Sequence, residues 1–222
     1  MNFTLSLFSI SLLLSTGISL VLARSVIKQH AGSARITLSL LMLAVAEWSF
    51  SSFMEAVATS TQAKMLWHTL GYLGATAVPV LFFIFALEFS TQKNWLRQRT
   101  LRPIWIVPLL TAVIAITNPW TSWLWEQYLY LPGTKILVFY PGPYAWIATI
   151  YSYALTFASL AFLIRAVVFF RESYRSQAIV TLVAALFPVF ANLSYIFGRP
   201  LFAGLDLTPY AFVLTGIVIA WG

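Results

Sequence analysis

The distribution of charged residues along the chain constrains its fold more than any other feature. Charged side chains make up only 9% of the 222 residues, and they stand in short clusters between long apolar runs. A soluble domain spreads charges over the surface of every element and is about 45 to 50% apolar, whereas 60% of this chain is hydrophobic. The sequence therefore predicts a protein that folds in a lipid bilayer.

Seven apolar runs have the length or position of membrane-spanning helices, which need about 20 residues each. The first run has no basic residue before Arg24 and is too long for the core of a signal peptide, so we interpret it as a retained span. The fold prediction is an all-α membrane protein, a bundle of seven transmembrane helices. The predicted spans are residues 3–23, 36–58, 65–90, 104–118, 144–169, 178–197 and 207 onward.

The seventh run is shorter than a span requires, since it begins at Leu207 and reaches Gly222 after sixteen residues. We therefore expect residues 1–222 to form one seven-helix domain whose last helix is cut short. A cytoplasmic output domain is expected to follow it in the natural protein.

Lys and Arg residues are shared unequally between the two sets of loops. Ten of the thirteen lie at or after the first, third and fifth runs, and cytoplasmic loops retain positive charge during insertion. This predicts an N-terminus outside the cytoplasm and a C-terminus inside it. The net charge of +7 is then a topology signal, so no nucleic-acid partner is expected. The ten residues are Arg24, Lys28, Arg35, Lys93, Arg97, Arg99, Arg102, Arg165, Arg171 and Arg175.

The loop between the fourth and fifth runs has a pattern of its own. Residues 127–131 and 135–140 are rich in aromatic and branched side chains, with Pro132-Gly133 as a turn signal between them. This predicts a short β-hairpin in the outer loop between helices 4 and 5. An interfacial aromatic girdle is an alternative that is compatible with the hairpin. Its members would be Trp120, Trp123, Trp125, Tyr128 and Tyr130.

Glu47 lies near the middle of the second run. A charged side chain at the membrane centre costs about 2.5 to 3.5 kcal/mol on insertion scales, so Glu47 is expected to face the bundle interior and to have partners. Helical spacing places Ser51 and Glu55 on the same side, closer to the outer surface. The sequence thus predicts a polar stripe that runs outward from the membrane centre.

Other spans also carry polar side chains in their outer halves, whereas the inner halves carry few. This asymmetry predicts an outward-facing, aromatic-lined cavity for a small molecule. The alternative is that these groups join helices by hydrogen bonds. Arg199 is expected either to bind a carboxylate ligand or to pair with Asp206 or Glu55. The candidate ligand-binding residues are Glu47, Ser51, Glu55, His68, Tyr72, Tyr151, Asn192, Tyr195, Arg199 and Asp206.

Several short motifs occur in order along the chain, and the most specific opens the seventh run: Asp206-Leu207-Thr208-Pro209. The others are Trp48; Tyr72 with Gly74 and Pro79; Thr117-Asn118; Tyr140-Pro141-Gly142-Pro143 with Trp146 and Tyr151-Ser152-Tyr153; Tyr174-Arg175-Ser176-Gln177; and Pro188 with Asn192. In these residues the chain resembles the N-terminal seven-helix sensor region of bacterial and archaeal histidine kinases. The resemblance extends from the second span to the end.

This resemblance implies a role in signal transduction at a prokaryotic plasma membrane. In that family the seven helices precede cytoplasmic modules such as PAS, histidine kinase or diguanylate cyclase domains, and a homodimer is implied. It supplies no ligand. Together with the predicted cavity it indicates a receptor, in which a small, partly apolar extracytoplasmic molecule acts through helix 7 on an effector domain of the same chain.

Other functions stay open at this point. The main alternative is a proton- or solute-coupled transporter that uses Glu47 near the midplane. An intramembrane enzyme is disfavoured because the sequence has no His-Glu-x-x-His, no Gly-x-Ser-x-Gly and no cysteine. A retinal protein needs a lysine within a span, and all four lysines are predicted in loops. No catalytic residue, cofactor or metal site is expected. The four lysines are Lys28, Lys64, Lys93 and Lys135.

Overall fold

The structure is a computed structural model that describes residues 6–29, 34–91, 101–130, 136–169, 172–197 and 206–221. Within these ranges it contains a 3₁₀ turn (Arg102–Trp105), one two-stranded sheet and seven α-helices. The strands are β1 (Trp125–Tyr130) and β2 (Leu137–Pro141). The helices are α1 (Leu7–Gln29), α2 (Ala34–Val57), α3 (Thr61–Phe89), α4 (Ile106–Thr121), α5 (Pro143–Phe169), α6 (Glu172–Phe197) and α7 (Thr208–Trp221).

Six of these helices are long and apolar enough to cross a membrane, and α7 contains a shorter apolar helix, Thr208–Ala220. The prediction of a mostly helical protein with six to seven apolar helices is confirmed. Helix ends differ, because α6 begins at Glu172 and not at residue 178. Lys28 and Lys64 lie in the end turns of α1 and α3, so their placement in loops was wrong. Hydropathy marks the apolar part of a helix, whereas backbone hydrogen bonding continues beyond it.

Six of the described helices form a closed ring, in the order α1, α2, α3, α5, α6, α7 and back to α1. Helix α4 packs outside this ring against α3 and α5. The sheet joins the end of α4 to the start of α5. We call the half of the bundle next to this sheet the hairpin half, and the other the packed half.

The predicted small two-stranded sheet is present. β1 and β2 pair antiparallel, with Tyr128 opposite Phe139 and Tyr130 opposite Leu137. Each strand differs from its predicted range by one to two residues, since hydropathy and residue type do not fix strand ends. The predicted Pro132-Gly133 turn lies outside the described residues.

The sheet is fixed to the helices by backbone contacts at its base. Asn118 Oδ1 accepts the N–H groups of Leu124 at 2.8 Å and Trp125 at 2.9 Å, and Asn118 Nδ2 donates to the Trp125 carbonyl at 3.0 Å. Directly after β2, a Cβ at Gly142 would lie 2.5 Å from the Trp123 carbonyl oxygen. The chain returns so closely there that only glycine fits. These contacts hold β1 and β2 against the bundle.

The packed half contains the main apolar core. Its side chains come from α1, α2, α3, α5, α6 and α7, so it joins all six members of the ring. A Cβ at Gly216 of α7 would lie 2.3 Å from Met42 Sδ of α2, which shows how closely these helices approach. The largest fully buried members are Phe82, Leu22, Leu41, Met42, Val26, Val45, Val78 and Leu163.

Candidate functional site

A cavity of about 800 Å³ lies in the hairpin half. Its volume is within the range of small-molecule sites, roughly 300 to 1,000 Å³. Residues of all six ring helices and of both strands line it. Pro79 of α3 and Pro188 of α6 are among them, and a proline within a helix removes a backbone hydrogen bond and bends the helix. The cavity thus lies where two helices of the ring carry prolines.

One wall of the cavity is a group of four rings, His68 and Tyr72 of α3, Trp125 of β1 and Phe139 of β2. The His68 and Phe139 rings stack with centroids 3.6 Å apart and an interplanar angle of 4°. The Tyr72 and Trp125 rings are nearly perpendicular, at 82° and 5.1 Å. We call this group the aromatic wall. It forms because α3 presents its rings to the alternate side chains that one face of the hairpin directs inward.

Glu55 holds the aromatic wall in place from α2. Its Oε2 lies 2.9 Å from His68 Nδ1, and its backbone carbonyl accepts a hydrogen bond from Lys64 Nζ at 2.8 Å. Lys64 and His68 reach Glu55 because α3 begins just before them. The Ser60 hydroxyl caps that helix by accepting the N–H of Ala63 at 3.3 Å. The start of α3 therefore decides which charged groups meet at this corner of the cavity.

A chain of hydrogen bonds crosses the opposite side of the cavity from α5 to α7. The Tyr153 hydroxyl donates to Asn192 Oδ1. Asn192 Nδ2 donates to Thr208 Oγ1 at 3.2 Å, and Asp206 Oδ1 accepts the Thr208 N–H at 2.9 Å. All four residues line the cavity. We call these residues the polar chain, and it ties α5, α6 and the start of α7 together.

Asp206 precedes α7, and its charge interacts with residues of both the aromatic wall and the polar chain. Burial raises the pKa of its carboxyl above the ordinary value, and the hydrogen bonds from Thr208 oppose that effect. His68 attracts its charge and Glu55 repels it. Asp206 is therefore close enough to the aromatic wall to interact electrostatically with His68.

Glu47 and Ser51, two of the candidates, do not line the cavity. Glu47 Oε1 accepts a hydrogen bond from the Ser51 hydroxyl at 2.8 Å, and its Oε2 accepts the N–H of Gly74 at 2.6 Å. A Cβ at Gly74 would lie 2.3 Å from that oxygen, so the carboxyl reaches the α3 backbone only because the residue there is glycine. This pair lies in the contact between α2 and α3.

The other candidates divide into three sets. Glu55, His68, Tyr72, Asn192 and Asp206 line the cavity together. The hydroxyl of Tyr151 donates to the Ile104 carbonyl, and Tyr151 is not among the cavity residues. Tyr195 is within α6, but its side chain lies outside the described residues, as does all of Arg199.

Sequence reasoning missed several cavity residues that helical spacing relates to each other. On α2, Trp48 and Ser52 share a cavity-lining face with the candidate Glu55. On α5, Thr149, Tyr153 and Thr156 share another such face. Period-two spacing likewise places Leu137 and Phe139 on one face of β2. The sequence contains the spacing that places these residues on one face of a helix or strand. It does not show which face points into the bundle.

The described residues hold no group of three His, Asp or Glu side chains with the geometry of a metal site. The described residues thus form a cavity with aromatic surfaces, two carboxyl groups and a hydrogen-bonded polar side.

The family model described as "N-terminal 7TM region of histidine kinase" matches residues 11–222. The match covers the chain from α1 to α7, including every residue that lines the cavity from α2 onward. No curated protein matches the sequence.

Proposed function

Because this chain belongs to the family of N-terminal 7TM regions of histidine kinases, and is thus a sensory domain of a multi-pass membrane protein, we propose that it is a receptor. A small, partly apolar molecule binds in the cavity of the hairpin half and changes the arrangement of the helices. Asn192 and the cavity-lining candidates Glu55, His68, Tyr72 and Asp206 bind this ligand.

One observation carries this proposal: the start of α7 forms part of the cavity wall. Asp206 and Thr208 line the cavity, and Thr208 is bonded to Asn192 of α6. A ligand that takes over a hydrogen bond of the polar chain releases α7 from α6 or holds it there. Only a difference in affinity for the two arrangements can shift their populations. Helix α7 would carry that shift to an effector domain in the same chain.

The proposed orientation places the hairpin half outside the cytoplasm. Arg24, Lys28, Arg35 and Arg102 are at or near helix ends of the packed half, whereas Lys64 is at a helix end of the hairpin half. The positive-inside rule then assigns the packed half to the cytoplasmic side. The cavity and the hairpin face outward under this assignment, and α7 runs inward toward the effector.

Membership of the family supports the remaining features of the proposed receptor. We propose a homodimer in a prokaryotic plasma membrane, with a histidine kinase or related signalling module as the effector. The placement of Glu47 favours this function over a transporter, because its carboxyl is bonded within the α2–α3 contact and does not line the cavity.

The test is a thermal-stability screen of the purified chain in lipid nanodiscs against small organic acids, amines, indoles and lipids. A ligand that binds the folded state raises the melting temperature by mass action. We expect each true hit to lose its effect in Asn192→Leu and to keep it in Tyr151→Phe, whose hydroxyl is bonded outside the cavity. A library without hits, or hits that act equally on both variants, would contradict the receptor proposal.

A further inference from the structure

The charges around the cavity differ from those of the chain as a whole. The chain has 13 Lys and Arg residues against 6 Asp and Glu. Among the described residues that line the cavity, two are acidic, Glu55 and Asp206, and one is a Lys or Arg, Lys64. A strongly basic chain thus has a cavity where carboxyl groups outnumber ammonium and guanidinium groups in the described wall.

The basic groups of this wall are already engaged at one corner. Lys64 is 3% exposed and its Nζ donates to the Glu55 carbonyl. His68 Nδ1 contacts the Glu55 carboxyl at 2.9 Å. Both basic side chains, Lys64 and His68, therefore contact Glu55. The Asp206 carboxyl accepts hydrogen bonds from Thr208 but forms no ion pair with any described group.

Asp206 lines the cavity together with Tyr72 of α3 and Tyr153 of α5. Its charge interacts electrostatically with both tyrosines. His68 attracts this charge and Glu55 repels it. Two carboxylates that share one cavity destabilise each other, and a cation placed between them removes that repulsion.

The aromatic wall is suited to the same kind of ligand. Aromatic faces carry negative electrostatic potential and attract an ammonium group within about 6 Å of the ring centroid. Tyr72 and Trp125 belong to this wall, and Trp48 and Trp67 also line the cavity. One face of Phe139 is covered by the His68 ring. A carboxylate ligand would instead meet aromatic faces and two like charges.

From this arrangement we propose that the ligand is an organic cation, an amine or quaternary ammonium group carried on an apolar body. Its charge lies between Asp206 and the aromatic wall, with Glu55 at the second carboxyl position. The apolar body occupies the rest of the cavity. This inference rests on the receptor proposal and specifies the chemistry of its ligand.

The test uses three probes of one shape: 2-phenylethylamine, 2-phenylethanol and 3-phenylpropionate, with charges of about +1, 0 and −1 at neutral pH. Their affinities are measured by calorimetry on the chain in nanodiscs. We expect the amine to bind at least about tenfold more tightly than the alcohol, and the carboxylate more weakly than both. This series needs no variant, so a failure to fold cannot obscure it.

Two substitutions locate the cation. Asp206→Asn keeps an oxygen for the Thr208 N–H and removes the charge, and it is expected to abolish the preference for the amine while the alcohol keeps its affinity. Glu126→Gln is the matched control, because it removes an equal charge from an exposed position of β1 outside the cavity. It is expected to leave all three affinities unchanged.

The cation inference is overturned if the alcohol or the carboxylate binds as tightly as the amine, if none of the three probes binds, or if Asp206→Asn affects the amine no more than Glu126→Gln. The receptor proposal is judged separately. It survives any of these results if another class of ligand is found whose effect Asn192→Leu removes.

Discussion

The hairpin half and the packed half of the bundle use the same helices in different ways. In the packed half, hydroxyl groups are satisfied by neighbouring backbone: Ser39 donates to the Ala23 carbonyl at 2.8 Å, and Thr215 to the Ala184 carbonyl at 2.7 Å. In the hairpin half, the polar groups of Asn192 and Asp206 border a cavity. Polar groups therefore join helices in both halves, and in the hairpin half some of them also border a cavity.

The difference between the two halves predicts where substitutions should change stability and where they should change binding. Interior packing in a membrane bundle depends on close contact between helices, because lipid supplies no hydrophobic drive for helices to associate. A substitution in the packed half should act mainly on unfolding, whereas one in the hairpin half should act mainly on binding. The predictions below begin with the largest expected change.

Phe82→Ala should separate stability from binding most clearly. Phe82 is 1% exposed in the apolar core of the packed half, and its truncation leaves a void that costs about 3 to 5 kcal/mol of unfolding free energy. Phe190→Ala is the matched control, because that ring is 62% exposed and faces away from the core. Unfolding in nanodiscs measures both.

The folded fraction of Phe82→Ala should bind a ligand of the cavity with unchanged affinity, since Phe82 is not among the lining residues. Equal melting temperatures for the two alanine variants, or a lost affinity with an unchanged melting temperature, would break the division between the two halves.

Gly74→Ala should affect both halves. The new Cβ would lie 2.4 Å from the Ala44 carbonyl oxygen and 2.9 Å from the Trp48 backbone nitrogen, so α2 and α3 must separate. Overpacking of this kind costs about 1 to 3 kcal/mol. Because both helices line the cavity, we expect ligand affinity to fall together with the melting temperature.

Gly17→Ala is the control for this change, because nothing lies within 4 Å of the added carbon. It should leave stability and affinity as they are. A Gly74→Ala variant that behaves like Gly17→Ala would show that the α2–α3 contact is looser than the structure has it.

The smallest predicted effect is a pH dependence that comes from Asp206. Because burial raises the pKa of this carboxyl, the folded protein binds more protons than the unfolded protein between the ordinary and the raised pKa. Stability therefore falls as pH rises through this window, by at most about 1.4 kcal/mol per pH unit, and becomes constant above it. Asp206→Asn should lack this decline.

The groups that face Asp206 set the baseline for that measurement. They are Thr208 from its own segment, Glu55 from α2, His68 and Tyr72 from α3, and Tyr153 from α5. All of them stay in Asp206→Asn, so melting temperatures of the two proteins across the acidic range should differ by the Asp206 contribution. Parallel curves would show that its pKa is ordinary in the folded protein.

Much of the fold could be predicted from the sequence. Apolar runs specify helices because every backbone polar group in lipid must be bonded within the chain, and six to seven such helices are present. The small two-stranded sheet could be predicted because two β-prone segments stand close together in the sequence. The ends of helices and strands could not be predicted, because both kinds of element extend past the apolar pattern into polar residues.

The candidate site was only partly predictable. Glu47 and Glu55 were predicted on one stripe, yet Glu47 is bonded to the backbone of Gly74, whereas Glu55 lines the cavity beside His68. Residues that share one side of a helix need not share surroundings, because the pattern does not show which other helix contacts each turn. At Glu47, Gly74 lets the α2 and α3 backbones approach closely. At Glu55, the aromatic wall lies beside α2.

The sequence by itself determined that the chain is a helical membrane protein of this family, because hydropathy, charge and short motifs depend only on residue type and position. The tertiary structure alone decided which side chains share the cavity. Tyr153 joins the polar chain and Tyr151 bonds to Ile104, although the two are neighbours on α5. The rotation of a helix is set by what packs against it, and those contacts come from residues far away in the chain.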